Sequence, residues 1–197
     1  MSVFTKIPTD TFKKLQMNAG ILASNFTPAT GTVEDTDIIG ATSGGIAFAA
    51  VPSFTDFGED IDNCPKNTME LKRLDVWEIT MSGSFVTVDT KVAEMMVGLA
   101  DISGSDPTKV TPRVDINLEK DFRDIWWIGD YSDVNTGDDA GFLAIHLMNA
   151  LSSGGFNLQS SDRGKGMFEF EFTGHFSMSA QETVPFEIYA KAGSAGE

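Results

Sequence analysis

Residues 167–178 read Met167-Phe-Glu-Phe-Glu-Phe-Thr-Gly-His-Phe-Ser-Met178, and their alternation decides the fold class. Phe168, Phe170, Phe172, Phe176 and Met178 fall on one side; Glu169, Glu171, Thr173, His175 and Ser177 fall on the other. Side chains alternate across a strand, whereas a helix would spread those phenylalanines around its axis. The stretch is expected to be a β-strand with one buried and one wet face. Val76–Val88 follows the same rule, with Trp77, Ile79, Met81 and Phe85 opposed to Glu78, Thr80, Ser82 and Ser84. The two stretches also echo each other: Trp77–Phe85 aligns with Phe168–Phe176, and Gly83 aligns with Gly174. Either an internal duplication or convergence of two amphipathic strands produces such an echo. A glycine inside a strand marks a bulge, a bend or a close backbone approach. Each strand is about twice the usual 5–6 residues, which suits a large curved sheet or barrel.

Working outward, Phe122–Tyr131 and Gly141–Leu151 are apolar on both faces and read as central strands covered on each side. The turn residues Thr136-Gly-Asp-Asp-Ala-Gly141 predict a hairpin between them. Ser160–Gly166 predicts a second turn, joining a strand at Gly155–Gln159 to the phenylalanine strand. Weaker strands are expected at Gly20–Ser24, Gly45–Val51, Lys109–Ile116 and Thr183–Ala190. One segment departs from this pattern. In Thr90–Ala100 the residues Val92, Met95, Met96 and Leu99 recur at i, i+3, i+4 and i+7, which is one face of a helix. Asp89 or Thr90 can cap its N-terminus. The expected fold is mainly β: an antiparallel β-sandwich or open barrel with one flanking α-helix.

The chain has 197 residues, enough for one large domain with a sizeable core. A hydrophobic share of 41% and a charged share of 22% exclude full disorder. No apolar run approaches the ~20 residues that span a bilayer, and no secretory signal is expected at the start. Cys64 is the only cysteine, so neither an intrachain disulfide nor a cysteine-rich zinc site is possible. The 29 acids outnumber the 14 bases, for a formal charge of -15. Such a chain lacks the cationic excess that binds phosphates and is repelled by anionic membranes. From Leu15 to Pro65 there is no Lys or Arg, while Glu34, Asp35, Asp37, Asp56, Glu59, Asp60 and Asp62 fall there.

Support for catalysis is thin. His146 lies in an apolar run and reads as a core residue; His175 reads as a surface residue. No Gly-x-Ser-x-Gly, His-Glu-x-x-His or phosphate-loop signature is present. Acidic Asp56–Asn63 could attract calcium, but an EF-hand begun at Asp60 would need glycine where Pro65 stands. Three long connections, Met1–Asn18, Phe26–Gly44 and Pro52–Asp75, favour a binding or structural role instead.

Several segments resemble major tail (tail tube) proteins of tailed bacteriophages infecting Gram-positive bacteria. They are Asn18–Pro28, Gly31–Gly45, Phe57–Asn63 with Glu70–Asp75, Asp124–Gly129 and Asn149–Phe156, within a similarity running from about Asn18 to Tyr189. The resemblance implies a β-sandwich with a flanking helix, no enzymatic activity and no cofactor. It implies hexameric rings stacked into a tube through which DNA passes at ejection, with tape measure and terminator proteins as further partners. It places the chain in the virion tail, after assembly in the host cytoplasm.

Residues 1–18 are expected to form an N-terminal arm, 19–190 the tail-tube domain and 191–197 a flexible tail. If the two echoing strands are neighbours, their wet faces supply the lumen wall: Glu78, Thr80, Ser82, Ser84, Glu169, Glu171, Thr173, His175 and Ser177. The same face on the tube exterior is the alternative. The middle connection is expected to contact a neighbouring subunit through Phe54, Asp56, Phe57, Glu59, Asp60, Ile61 and Asp62. The competing functions are a carbohydrate-binding β-sandwich module, with or without calcium in the acidic loop, and a hydrolase with an unmarked carboxylate pair.

Overall fold

The phenylalanine strand sits near the middle of a nine-stranded sheet in the computed structural model, which describes residues 4, 6–115, 118–131 and 140–193. In chain order the strands are β1 (Ile21–Ala23), β2 (Ile38–Gly40), β3 (Thr42–Asp56), β4 (Lys72–Phe85), β5 (Ala100–Ile102), β6 (Val110–Pro112), β7 (Arg123–Asp130), β8 (Phe142–Ser152), β9 (Asn157–Gln159), β10 (Met167–Gly174) and β11 (Phe186–Lys191). Helix α1 (Thr90–Val97) lies between β4 and β5, and a single turn, α2 (Leu118–Asp121), precedes β7. The large sheet runs β2-β1-β7-β8-β10-β4-β3, with β11 beside β8 and β9 beside β10; β5 and β6 form a separate pair. All of its pairings are antiparallel.

The sheet closes on itself. Ile79 and Met81 of β4 and Phe170 and Phe172 of β10 share one core with Leu22, Ile125, Trp127 and Leu147 of β1, β7 and β8. The sheet's two end strands, β2 and β3, are joined through Ala41 alone, and a Cβ on Gly40 of β2 would stand 3.3 Å from Phe85 of β4. The curl brings the two halves face to face, as the expected sandwich or open barrel requires. Helix α1 seals this core with Val92 and Met96, both buried. Asp89 caps it, its Oδ1 accepting from the Val92 N–H at 2.8 Å. Leu99 falls beyond the helix, which ends at Val97 where Gly98 takes φ 81°.

The other face of β7 and β8 carries a second, smaller core of Ala23, Phe26, Trp126, Phe142 and Ala144. Trp126 and Trp127 are thus both buried on opposite faces, as the two-sided apolar reading predicts. The β7–β8 pairing is as expected, while 136–139 of the turn between them lie outside the described residues. His146 stacks on Trp126 with ring centroids 3.9 Å apart, and its Nε2 lies 3.3 Å from Asp124.

Three expectations need correction. The phenylalanine strand stops at Gly174, leaving Phe176 at 42% and Met178 at 89% exposure. The reason is a hand-over. Strand β8 pairs with β10 only at Ala150–Ser152, and β11 occupies the same edge over Phe142–Leu147. One edge position accepts one partner, so the chain after Gly174 must leave. A Cβ at Gly174 would stand 2.7 Å from Leu147 Cδ1, and one at Gly83 2.7 Å from Ile46 Cδ1 and 2.9 Å from Phe170 Cζ. Both echoing glycines therefore mark close approaches on the core side. Second, Pro52–Asp75 is not one long loop: Pro52–Asp56 continues β3, Lys72–Asp75 opens β4, and only Phe57–Leu71 connects them. Proline usually ends a strand reading, but β3 is an edge strand, where every second N–H points away from the sheet and a proline is tolerated. Third, Phe26–Gly44 contains β2 and the start of β3.

Candidate functional site

The two echoing strands are neighbours. Strands β4 and β10 pair with Phe168 opposite Phe85, Glu169 opposite Ser84, Glu171 opposite Ser82 and Thr173 opposite Thr80. Period-2 alternation then places Glu169, Glu171 and Thr173 on one continuous outer face with Thr80, Ser82 and Ser84, and with Glu78 farther along β4. On the opposite side Phe85 and Phe170 meet with ring centroids 4.4 Å apart, so core packing fixes which face is outward. A shift by one residue would expose the phenylalanines.

Strand β3 widens this face with residues that the sequence reading left out. Ala47 pairs with Ser82, Ala49 with Thr80 and Val51 with Glu78. All three are exposed. The signal was present: in Ile46-Ala-Phe-Ala-Ala50 two small alanines alternate with core residues. The result is a three-strand surface of alanine, serine, threonine and Val51 whose outward side chains bring three carboxylates; one cation, Lys165, reaches its margin, with Nζ 3.1 Å from Ser43 Oγ. A shallow hollow of about 390 Å³ opens on it, bordered by Ser82, Ser84, Asn157, Glu169 and Glu171. Glu171 is held at its margin: Ser153 Oγ donates to Glu171 Oε1 at 2.9 Å, and Ser153 N–H to Glu171 O at 2.9 Å.

Two residues assigned to this face by sequence fall outside the ladder, because β10 has ended. His175 presents Nδ1 to Asn149 O at 3.2 Å and packs edge-on against Phe122. Ser177 shares a 2.8 Å hydrogen bond with Ser179.

Beyond Glu78 the β3–β4 pair continues as a ribbon. A register shift follows Pro52, where three steps along β4 (Trp77 to Leu74) match two along β3, so Phe54 lies opposite Leu74. Val51, Phe54, Leu74 and Val76 are exposed there, as are Phe57, Ile61 and Met69 in the connecting loop. Lys72 and Arg73 lie over the rings of Phe54 and Phe57, at 5.4 and 5.9 Å. Glu59, Asp60 and Asp62 are exposed on the loop, and Lys66 pairs with Glu59 at 3.5 Å.

Asp56 has an internal task instead. Its two oxygens accept from the Gly58 and Asn67 N–H groups, each at 2.9 Å, and so close the loop. Those two bonds, Gly58's first, hold the carboxyl below its ordinary value of 3.8. A folded value below the unfolded one means that the bonds contribute above the unfolded value and are lost as pH falls through the folded one. The Gly58 and Asn67 amide resonances should therefore shift together on acidification, with a common midpoint below 3.8. A midpoint at or above that value would remove Asp56 from this role. Among the described residues no three His, Cys, Asp or Glu side chains are grouped to hold a metal ion, so the acidic loop offers calcium no ready cage.

Met17 and Asn18 tie the N-terminal segment to the end of β7. Met17 N–H donates to Asp130 O at 2.8 Å, and Asn18 Oδ1 accepts from Asp130 N–H at 3.2 Å. Before that point, the 3-10 turn Thr11–Lys14 buries no side chain.

No family model matches the chain, and no curated protein does. Among solved structures, it is similar to a chain from the tail of an empty gene transfer agent particle, a helical refinement with C6 symmetry. That chain is 8% identical, the match covers 81% of this chain and 92% of that one, and the TM-score is 0.42. A chain from the virion of a native gene transfer agent particle is 9% identical over 81% and 92%, with a TM-score of 0.40. Likenesses this weak carry no functional inference.

Proposed function

We propose that the protein is a structural subunit of a phage-type tail, stacking in rings into a tube whose inner wall is the β3–β4–β10 face. The supporting observation is the composition of that face. DNA carries a dense line of phosphates, and a wall that neutralised them would hold the duplex. Glu78, Glu169 and Glu171 repel phosphates, and Ala47, Ala49, Thr80, Ser82 and Ser84 leave little for a sliding duplex to catch on. The sheet also ends on β3, a 15-residue edge strand. A long free edge invites pairing with another chain, and closure into a ring removes it. The resemblance to tail tube proteins of phages infecting Gram-positive bacteria agrees with this reading and supplies its hexameric rings, its tape measure and terminator partners, and its passage of DNA.

A carbohydrate-binding module is less well supported. Such modules recognise sugars with exposed aromatic platforms, whereas Trp126 and Trp127 are buried, Trp77 packs on Phe186, and the rings of exposed Phe54 and Phe57 lie under Lys72 and Arg73. Negative-stain microscopy of concentrated protein tests the assignment. Rings or tubes about as wide as several subunits are expected. Monomers alone, at every concentration and salt level, would overturn it.

A further inference from the structure

Two separated surfaces leave apolar side chains in water and carry opposite charge. The N-terminal arm exposes Phe4, Ile7, Phe12 and Leu15 and holds three lysines, Lys6, Lys13 and Lys14, against one acid, Asp10. Asp10 is occupied by Lys14 in an i,i+4 ion pair, which leaves Lys6 and Lys13 unpaired among the described residues. This is the reverse of the whole chain, whose formal charge is -15. The ribbon loop Phe57–Leu71 exposes Phe57, Ile61 and Met69. It carries Glu59, Asp60, Asp62 and Glu70 against Lys66, which is paired with Glu59; Lys72 and Arg73, just past its end, lie over the Phe54 and Phe57 rings.

We propose that the arm of one copy docks on the ribbon loop of a neighbouring copy, with Lys6 and Lys13 against Asp60 and Asp62, and Ile7 and Phe12 on Phe57 and Ile61. This rests on the tube reading and specifies one contact within it. Other acidic surfaces fit the arm less well. The Glu78–Glu169–Glu171 face is set among small polar residues, with no large apolar side chain between its carboxylates. The hollow beside Phe176 and Met178 is apolar but brings one carboxylate, Glu119. A third acidic stretch, Glu34–Asp37, brings one exposed large apolar side chain, Ile38, whereas the ribbon loop sets Phe57, Ile61 and Met69 beside its carboxylates. The contact is heterologous: an arm meets a loop, and the second copy still presents its own arm. Such contacts propagate into rings or filaments, where a self-complementary patch would stop at a dimer.

Reciprocal charge reversal tests the pairing. Lys6→Glu with Lys13→Glu should raise the concentration needed for assembly about tenfold at low salt, and Asp60→Lys with Asp62→Lys should do the same. The four changes together should restore assembly to within about threefold of wild type, because the charges match again. Far-UV circular dichroism should be unchanged throughout, since none of these side chains is buried. Cross-linking gives a second reading. Lys13→Cys, treated with a short bis-maleimide, should join to the native Cys64 of the loop in another copy and yield a ladder of oligomers that wild type does not. A four-fold variant no better than either double variant, or an intrachain product alone, would overturn the docking. Wild-type tubes with unaffected double variants would overturn it while leaving the tube intact. Wild type that never assembles would overturn both.

Discussion

Met96→Asp should leave the protein unable to hold its fold at room temperature. Met96 is 0% exposed and sits in the shared core with Val92, Phe170 and Phe172. Removing its side chain forfeits about 2–5 kcal/mol of packing, and the new carboxylate is buried with no partner, which adds several kcal/mol more. A domain stabilised by about 5–15 kcal/mol cannot absorb that comfortably. Met95 provides the internal comparison. It is half-buried at the rim of a hollow shared with Ile38, Ile39 and Asp89, so Met95→Asp should cost distinctly less, about 3 kcal/mol. Urea denaturation followed by tryptophan fluorescence measures both. Equal midpoints for the two variants would mean that the helix packs on the sheet by another face.

The double change Glu169→Lys, Glu171→Lys should slow genome ejection roughly tenfold at ~50 mM salt while leaving tube assembly intact. Both side chains are exposed on β10 opposite Ser84 and Ser82, so neither supports the core. On a lumen wall the reversal would turn a repelling surface into one that binds phosphates, repeated in every subunit. Raising the salt to ~0.5 M should return the rate towards wild type, because counterions then compete for the same charges. Virions built with the variant and ejecting at the wild-type rate at low salt would place this face on the tube exterior.

Local pattern revealed the fold where local pattern governs it. The phenylalanines of β10, the alternation of β4 and the Val92–Met96 stripe each specify an element by their own spacing. Pairing between distant segments was not legible. Nothing in Phe168–Met178 tells that β11 will take the edge of β8 and turn Phe176 outward. Pro52 concealed the second half of β3, since its tolerance depends on an edge position that only the assembled sheet defines. The candidate site shows the same division. The wet residues of β4 and β10 could be named from alternation, but their adjacency, the loss of His175 and Ser177, and the contribution of Ala47 and Ala49 all depend on register.

Strand β3 also limits what can be added to it. Its regular edge is interrupted at one end by Gly44 and Gly45, both at positive φ, and at the other by Pro52 and the shift that follows. Between them lie Ile46–Val51, about 20 Å of uninterrupted backbone at ~3.3 Å per residue. A strand joining from a neighbour is confined to that window. Sliding it towards the ribbon would set a carbonyl against the proline ring, which has no hydrogen to offer. The edge thus acts as a gauge of length: a partner strand of more than about six residues would have to cross the glycine pair at one end or the proline at the other.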